Sequence, residues 1–465
     1  MPQDIAASSQ AAVLPAPVAD RLAALACGIR DLPPHVVHAA KRCLIDWYAA
    51  TIPGAVGAPA RALEAGLADE LGHGGAWTLS GRRAPMRTAA LVNGTASHTV
   101  EFDDIFAPAI YHPGSPTIAA ALAAAQGLCK SGSDLVAAVV AGYEVSTRVG
   151  VAMGRAHYRF WHNTGTIGTI GAAAAVGRLR GFGPDMMAEA LAISTTMAAG
   201  LQQTFRGDSE TKPLHAGHAA DAGHVAAALA AGGVRTARDM FEGEAGLGRA
   251  MSRDVEWDAA LADSGIWNIT RMTVKNHGCC GHIFPALDGA LTMQREHGFG
   301  AAEVARIEVG GYSATVDVTG NQCIDSAAAA KFSLPFVVAS GLVHGAIRLD
   351  AFDPPRLADR AVRALMPRIS VALDPEIDAL FPRQRAARIV VTLADGRRIE
   401  RFQPHRVGDP ELPLSDEQLS DKFRELTRGV ITGEAAEALL ARLWAAETVP
   451  DLAFTHAHRL IGAAG

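Results

Sequence analysis

The chain has 465 residues, of which 49% are hydrophobic, 19% are charged and only 6% are aromatic, and its formal net charge is −6. This length predicts two domains and a large core, and an apolar content supplied largely by alanine and glycine predicts packed helices rather than a β-sandwich. No basic run is long enough to follow a phosphate backbone, so nucleic-acid binding has no support in the sequence.

The cysteines and the N-terminus bear on the compartment. Six cysteines form no framework of spaced pairs, which favours reduced thiols in a cytosol. The first twenty residues do not resemble a signal peptide, and apolar runs of membrane length are interrupted by glycine or polar residues. We therefore predict a cytoplasmic protein without membrane contact, beginning with a flexible arm over residues 1–17.

Residues 18–268 have the pattern of a helical domain. Apolar residues recur every three or four positions between short Gly, Pro or Asp breaks, and Ser131-Gly-Ser-Asp134 is typical of a helix start before Leu135–Val149. Three segments are apolar nearly all round, which predicts helices inside a bundle with closely spaced axes. These segments are Ile118–Leu128, Ile167–Val176 and Ala219–Ala231.

Residues 269–402 have the pattern of a smaller α+β domain, because short β-branched runs alternate with helix-like stretches. The predicted strands are Arg271–Val274, Ala305–Val309, Ala387–Leu393 and Arg398–Phe402, the last two joined in a hairpin by Ala394–Arg397. The predicted helices are Phe284–His297, Lys331–Gly345 and Pro355–Ser370. Residues 403–465 are predicted to return to the helical domain, with a helical stretch over Ser415–Leu443.

A polar island at Thr211-Lys-Pro-Leu-His215 interrupts a long run of alanine and glycine. Burying the Lys212 ammonium without a partner would cost several kcal/mol, so an anion is expected beside it. That anion is either a bound ligand or a carboxylate of the chain at Asp208 or Glu210.

A second island combines Asp103 and Asp104 with His112. Adjacent aspartates on a helix point about 100° apart, so only one of them is expected to face a given pocket. Simple helix capping is the alternative for both. Pro and Gly fix a turn just after His112, where a carboxylate could hold the imidazole.

His162 precedes a glycine-spaced apolar helix whose first N–H groups could bind a carboxylate. Taken alone, this histidine fits a satisfied core residue better than a functional one. The glycine spacing is not a dinucleotide fingerprint, because no strand pattern precedes it.

A further island begins at Lys275, at the boundary of the two predicted domains, where pockets often form. The spacing of His277, Cys279, Cys280 and His282 suggests a metal site at first. Two adjacent cysteines do not readily ligate one tetrahedral ion, so we predict neither a metal nor a cofactor.

With these motifs the chain resembles the MmgE/PrpD family, which includes 2-methylcitrate dehydratase, cis-aconitate decarboxylase and iminodisuccinate epimerase. The resemblance implies a helical domain formed by the N-terminal part and the C-terminal tail, an inserted α+β lid, and a homodimer. It rests on 92–98, Glu101–Asp104, His112–Ser115, Trp161–His162, Thr211–Ala220, Lys275 and Cys279–Asp288.

The resemblance also implies an active site between the domains. By motif position its catalytic residues are Asp103 or Asp104, His112, His162, Lys212 and Lys275. We expect the two histidines to transfer protons and the two lysines to bind substrate carboxylates. Further substrate-binding residues are predicted at His215, His277 and His282.

These residues predict a metal-independent lyase for a small di- or tricarboxylic acid, most similar to 2-methylcitrate dehydratase. Decarboxylation of the cis-aconitate type and epimerisation of an iminodisuccinate-like acid are the alternatives, since a fold does not fix a reaction. A non-catalytic helical scaffold or binding protein is a further alternative. The chain has Glu101, Ile105 and Phe284 where family members commonly have Asp, Thr and His, so the substrate stays open.

Overall fold

The structure is a computed structural model that describes residues 16–205, 209–381, 383–456 and 460–461. Nearly all of the predicted N-terminal arm, and Asp208, therefore lie outside the described residues. The part before residue 268 is almost entirely helical. Its helices are α1 Val18–Gly28, α2 Pro34–Ala55, α3 Ala58–Gly66, α4 Met86–Ser97, α5 Gly114–Gly127, α6 Gly132–Tyr158, α7 Asn163–Leu179, α8 Pro184–Thr195, α9 Lys212–Ala231, α10 Leu247–Met251 and α11 Trp257–Leu261, with a two-stranded ribbon of β1 Ala76–Trp77 and β2 Arg83–Ala84.

The chain beyond residue 268 mixes helices with a sheet and ends in helices. The helices are α12 Phe284–His297, α13 Ser313–Thr319, α14 Ala327–Lys331, α15 Leu334–His344, α16 Pro354–Leu357, α17 Arg360–Leu365, α18 Pro375–Leu380, α19 Asp416–Thr427 and α20 Gly433–Trp444. The strands are β3 Val304–Gly311, β4 Ile369–Leu373, β5 Ala387–Leu393 and β6 Arg398–Gln403. This composition confirms the prediction of a mainly helical protein.

The helices of the first part share one hydrophobic core. Its buried residues come from 18–274 and again from 414–452, so the C-terminal helices pack with the N-terminal ones. Small residues let the axes approach: a Cβ at Gly94 of α4 would lie 2.8 Å from the Cα of Gly217 in α9. The predicted start of α6 is confirmed, because Ser131 and Asp134 form a reciprocal capping box there.

The second core lies between the four-stranded sheet and α12, α15 and α17. Strand order is β4-β3-β5-β6, with β3 parallel to β4 and the other pairs antiparallel. Ile307 pairs with Ile369 on one side and Val391 on the other. The division of the chain at residues 268 and 403, with the α+β part as a lid, stays a prediction.

Several predicted elements are wrong in detail. The predicted strand Arg271–Val274 is a 3₁₀ turn at Asn268–Arg271 followed by one isolated bridge from Thr273 to Ile105. The predicted helix Pro355–Ser370 is broken into α16, α17 and a 3₁₀ turn containing Pro367, after which β4 begins. The helical stretches predicted over Lys331–Gly345 and Ser415–Leu443 are each divided between two helices.

Helix α6 is long and apolar enough by composition to span a membrane. In its most apolar window, however, 83% of the residues are buried inside the fold, against α7, α5 and α1. It is accordingly a central helix of the first core. All six cysteines are free thiols, as predicted.

A buried ion pair joins the C-terminal part to the N-terminal helices. Lys422 of α19 lies 2.5 Å from Asp46 of α2, and the two side chains are 0% and 1% exposed. The same ammonium donates a hydrogen bond of 2.9 Å to the carbonyl of Phe102. Helix α19 is thereby connected to the loop that follows α4.

Candidate active site

The loop after α4 carries the first acidic residues of the site. Helix α4 ends at Ser97, and Glu101 has a φ of 64°, a left-handed conformation that is uncommon for a residue with a side chain. Such a conformation persists where surrounding contacts hold it, and it is frequent at functional sites. Here the hydrogen bond from Lys422 to Phe102 fixes the neighbouring residue.

Glu101 is the centre of a group of cations. Its carboxylate forms a short ion pair with Lys212, at the first residue of α9, and lies 3.6 Å from the Nζ of Lys275. Burial alone would raise the pKa of Glu101, but the two lysines together hold it well below its usual value. The anion beside Lys212 is therefore Glu101 and not Glu210, which had been predicted as a possible partner. The other predicted partner, Asp208, lies outside the described residues.

A third lysine lies close to this group. Lys331, the last residue of α14, accepts a hydrogen bond at its carbonyl from the N–H of Cys280, 2.9 Å away. Burial lowers the pKa of Lys331, Glu101 opposes that shift, and Lys275 and Lys212 add to it. The ammonium thus lies within electrostatic reach of all three groups.

Asp103 joins two histidines and a serine. One of its oxygens, Oδ2, lies 2.7 Å from His98 Nδ1 and 3.2 Å from His112 Nδ1, and it accepts a 2.7 Å hydrogen bond from Ser115. Burial would raise the pKa of Asp103, but His98 and His112 hold it well below its usual value. The carboxylate is therefore hydrogen-bonded to Nδ1 of His98 and lies beside Nδ1 of His112, and His112, 14% exposed, is the more accessible ring.

His98, Asp103 and His112 are also residue types that bind metals, and their ligand atoms lie within 4.8 Å of one another. Zinc binds nitrogen and oxygen at about 2.0–2.2 Å, so its ligands lie roughly 3 Å or more apart. The 2.7 Å distance from His98 Nδ1 to Asp103 Oδ2 is instead typical of a hydrogen bond, and the same oxygen also accepts a hydrogen bond from Ser115. This arrangement fits a hydrogen-bond network better than a metal centre.

A second pair of histidines lies against the first. The Nδ1 atoms of His162 and His215 are 3.0 Å apart, and the His162 ring stacks on His98 with centroids 5.4 Å apart. Burial, followed by the nearby His98 and Lys212, holds the pKa of His162 well below its usual value, and burial lowers that of His215 to about 4. Both rings are therefore neutral at neutral pH and can accept a proton.

Asp104 has a different environment from its neighbour. It accepts hydrogen bonds from the N–H of Gly114, at the start of α5, and from the hydroxyl of Tyr143, at 3.0 and 2.8 Å. Burial and then the charge of Asp46 raise its pKa to about 8. The capping alternative thus fits Asp104, and the contacts to the histidines belong to Asp103.

His277 and His282, predicted to bind substrate, have partners elsewhere. His277 Nε2 lies 3.0 Å from Asp288, and the ring packs edge-on against Phe284 with centroids 5.4 Å apart. His282 Nδ1 lies 2.7 Å from the hydroxyl of Tyr312. The structure therefore groups Lys212, Lys275, Asp103, His112, His162 and His215, and it does not bring His277 or His282 into hydrogen bonds with that group.

A cavity of about 740 Å³ adjoins the second histidine pair. His215 forms part of its lining, together with apolar side chains that include Leu201 and Leu214. Both leucines are exposed, at 57% and 40%. The histidine cluster is thus in contact with open space on the His215 side.

Known protein families match most of the chain. The model of the MmgE/PrpD N-terminal domain matches residues 20–260, and that of the MmgE/PrpD C-terminal domain matches residues 277–446. The chain belongs to the MmgE/PrpD family. As a member of that family it is similar to the "Cis-aconitate decarboxylase-like protein oryM" of Aspergillus oryzae, with 29% identity over 91% of this chain and 92% of that protein.

Two mammalian proteins are also similar. The cis-aconitate decarboxylase of Mus musculus is 27% identical over 81% of this chain and 78% of its own length. That of Homo sapiens is 27% identical over 78% of this chain and 77% of its own length. These relatives are lyases by name, and they support an enzyme of the lyase class.

His98, Glu101 and Lys331 belong to the site but were not predicted as site residues from the sequence. His98 and Glu101 stood in the motifs that carried the resemblance, but neither was assigned a role. Lys331 follows four alanines, Ala327–Ala330, and is a lone cation in an apolar run. A lone cation within an apolar run is the same signal that predicted Lys212, so Lys331 was identifiable from the sequence.

Proposed function

We propose that this protein is a lyase that decarboxylates cis-aconitate or a tricarboxylate of the same shape. The observation that carries the proposal is the pair of lysines on Glu101, with Lys331 within electrostatic reach, beside the histidines next to Asp103. The relatives named as cis-aconitate decarboxylases add support, and they move this reaction ahead of 2-methylcitrate dehydration.

The charges of the site suit a substrate with several carboxylates. Lys212, Lys275 and Lys331 bring three positive charges, and Glu101 brings one negative charge, which leaves two positive charges without a partner in the group. Partly buried cations that lack counter-ions are costly, so an anionic substrate would be stabilised there. Two substrate carboxylates would complete the balance.

The proposed reaction breaks the bond between a CH₂ carbon and its carboxylate, which leaves as CO₂. The released electron pair forms a new double bond to the central carbon. The electrons of the original double bond move to the carbon beside a remaining carboxylate, and that carbon then takes up one proton. The product is an unsaturated dicarboxylate with one carbon fewer.

The residues of the site have separate roles in this step. Lys212 and Lys275 bind the carboxylate on which negative charge builds up as CO₂ leaves. His112, whose Nδ1 lies 3.2 Å from Asp103, would donate the proton from its other nitrogen. His162 is the second candidate for proton transfer, and its position against His98 places it in the same cluster.

One observation keeps dehydration of a 2-methylcitrate-like acid as a second candidate. Dehydration begins with removal of a proton next to a carboxylate, which requires an unprotonated base. Burial holds the pKa of His162 well below its usual value, so this ring is such a base at neutral pH. A homodimer, a cytoplasmic location and a lid over the site remain further parts of the proposal.

The test is to incubate the purified protein separately with cis-aconitate and with 2-methylcitrate and to analyse the products by mass spectrometry. Loss of CO₂ from cis-aconitate is expected, and loss of water from 2-methylcitrate would favour the second candidate. Replacing Lys212 with Met should lower the rate at least about 100-fold while the far-UV circular dichroism is unchanged. Lys130→Met, outside the site, is the matched control, and full activity of Lys212→Met would refute the assignment.

A further inference from the structure

A second cationic cavity lies outside the candidate active site. Its volume is about 250 Å³, and it is formed where the loop after Asp104, the segment around Thr273 and residues 383–411 meet. Five arginines line it, namely Arg155, Arg271, Arg383, Arg385 and Arg406. Nothing in the proposed reaction uses them.

The charge of this cavity is strongly positive. Two carboxylates line it, Asp409 and Glu411, against the five guanidinium groups, which gives a balance of 5 − 2 = +3. The whole chain, by contrast, has a formal net charge of −6. The clustering is therefore local and does not follow from a basic composition.

Arg406 is the most deeply buried of the five. It is 2% exposed, and its Nε and Nη2 donate hydrogen bonds of 2.9 and 2.6 Å to Asp409. Its Nη1 is buried and has no hydrogen-bond partner among the described residues. A Cβ at Gly281 would lie 3.3 Å from this nitrogen, so glycine keeps the space beside it open. Buried donors are nearly always paired, so Nη1 is an unsatisfied donor within the wall of the cavity.

Arg385 forms no close ion pair within the described part of the chain, and the nearby Asp409 is already paired with Arg406 at 2.6 Å. Burial and then the charge of Arg406 lower its pKa. The same two arginines, after burial, lower the pKa of His282 to about 4, so that ring adds no charge. Repulsion between two partly buried guanidinium groups is relieved when an anion binds between them.

We infer that this cavity binds a small anion with two or more negative charges, of the phosphate or polycarboxylate class. Guanidinium groups bind both kinds of anion through paired N–H donors. The five positive charges around this cavity exceed the two negative charges of its carboxylates. The cavity shares two chain segments with the candidate active site, since Thr273 precedes Lys275 by two residues and Ala107 follows Asp104 by three. An anion bound here would hold those segments together.

The experiment is isothermal titration calorimetry of the full-length protein, at low ionic strength, with inorganic phosphate and separately with citrate. At least one of the two is expected to bind, and which one binds identifies the class. Arg385→Gln and Arg271→Gln should each weaken that binding about tenfold or more, because each removes a charged donor. Arg398→Gln, on the exposed β6 outside the cavity, is the matched control and should bind as the unaltered protein does.

The active-site lysines could also attract the probe, so the titration is repeated with Lys212→Met. Unchanged binding in that variant separates the arginine cavity from the active site and from the proposed lyase activity. Binding lost in Lys212→Met but retained in Arg385→Gln and Arg271→Gln would overturn the inference, as would no binding of either anion. Arg271 is exposed, so Arg271→Gln still provides the test if Arg385→Gln does not fold.

Discussion

The buried ion pair between Lys422 and Asp46 offers the sharpest test of how the site is held. Lys422→Met keeps the length of the side chain and removes the ammonium, which leaves Asp46 without its cation and the Phe102 carbonyl without its donor. Removing one partner of a buried pair typically costs about 3–5 kcal/mol. Burial already raises the pKa of Asp46 and the charge of Lys422 opposes that shift, so loss of the ammonium should raise this pKa further.

Equilibrium denaturation in urea, followed by far-UV circular dichroism, measures the loss. The double variant Asp46→Asn/Lys422→Met should recover at least half of it, because no unpaired charge remains. Lys41→Met is the control: it breaks another pair between α2 and the C-terminal part, to Glu447, whose side chain is 32% exposed, and should cost about 1 kcal/mol or less. A loss below about 1 kcal/mol for Lys422→Met, or a double variant as unstable as the single one, would refute the reasoning.

Three other predictions follow from the site. Asp104 has a pKa of about 8 in the folded protein, whereas an unfolded aspartate ionises near 4. Its contribution to stability is therefore greatest below pH 4 and is lost as the pH rises to 8. Asp104→Asn should make the free energy of unfolding less dependent on pH over that range, and an unchanged slope would count against this assignment. Asp103→Asn should lower kcat about 100-fold or more with the fold retained, because His98 and His112 both lose the carboxylate beside Nδ1. Steady-state kinetics at several pH values measure this, and an unchanged kcat would contradict the prediction. Lys331→Met should raise KM for a tricarboxylate more than for a dicarboxylate, and equal changes for both would exclude a carboxylate-binding role.

Local signals predicted many of the elements well. Helix α12 and strand β5 have the predicted bounds, because each is a single periodic run ended by clear turn residues. The strand predicted at Arg271–Val274 failed for a tertiary reason. Thr273 forms an isolated bridge with Ile105, and the N–H of Val274 donates a 2.8 Å hydrogen bond to the carbonyl of Gly408, but no neighbouring strand among the described residues extends these contacts into a ladder.

The sequence predicted many of the site residues, but it did not predict which of them form ion pairs and hydrogen bonds with one another. Lys212 and Asp103 were identified because charged residues interrupted apolar runs or stood in motifs. That Lys212 pairs with Glu101 across 111 residues depends on how α9 packs against the end of α4, which no local pattern encodes. The different environments of Asp103 and Asp104 likewise depend on Tyr143 of α6, which follows Asp104 by 39 residues along the chain.

The contact from Lys422 to the loop after α4 has a consequence for biosynthesis. Asp46 and Lys422 are separated by 376 positions, so the ribosome makes the first long before the second. Until α19 emerges, the backbone at Phe102 lacks its anchor and the carboxylate of Asp46 lacks its cation. Newly made polypeptide would therefore become competent late, when translation is almost finished.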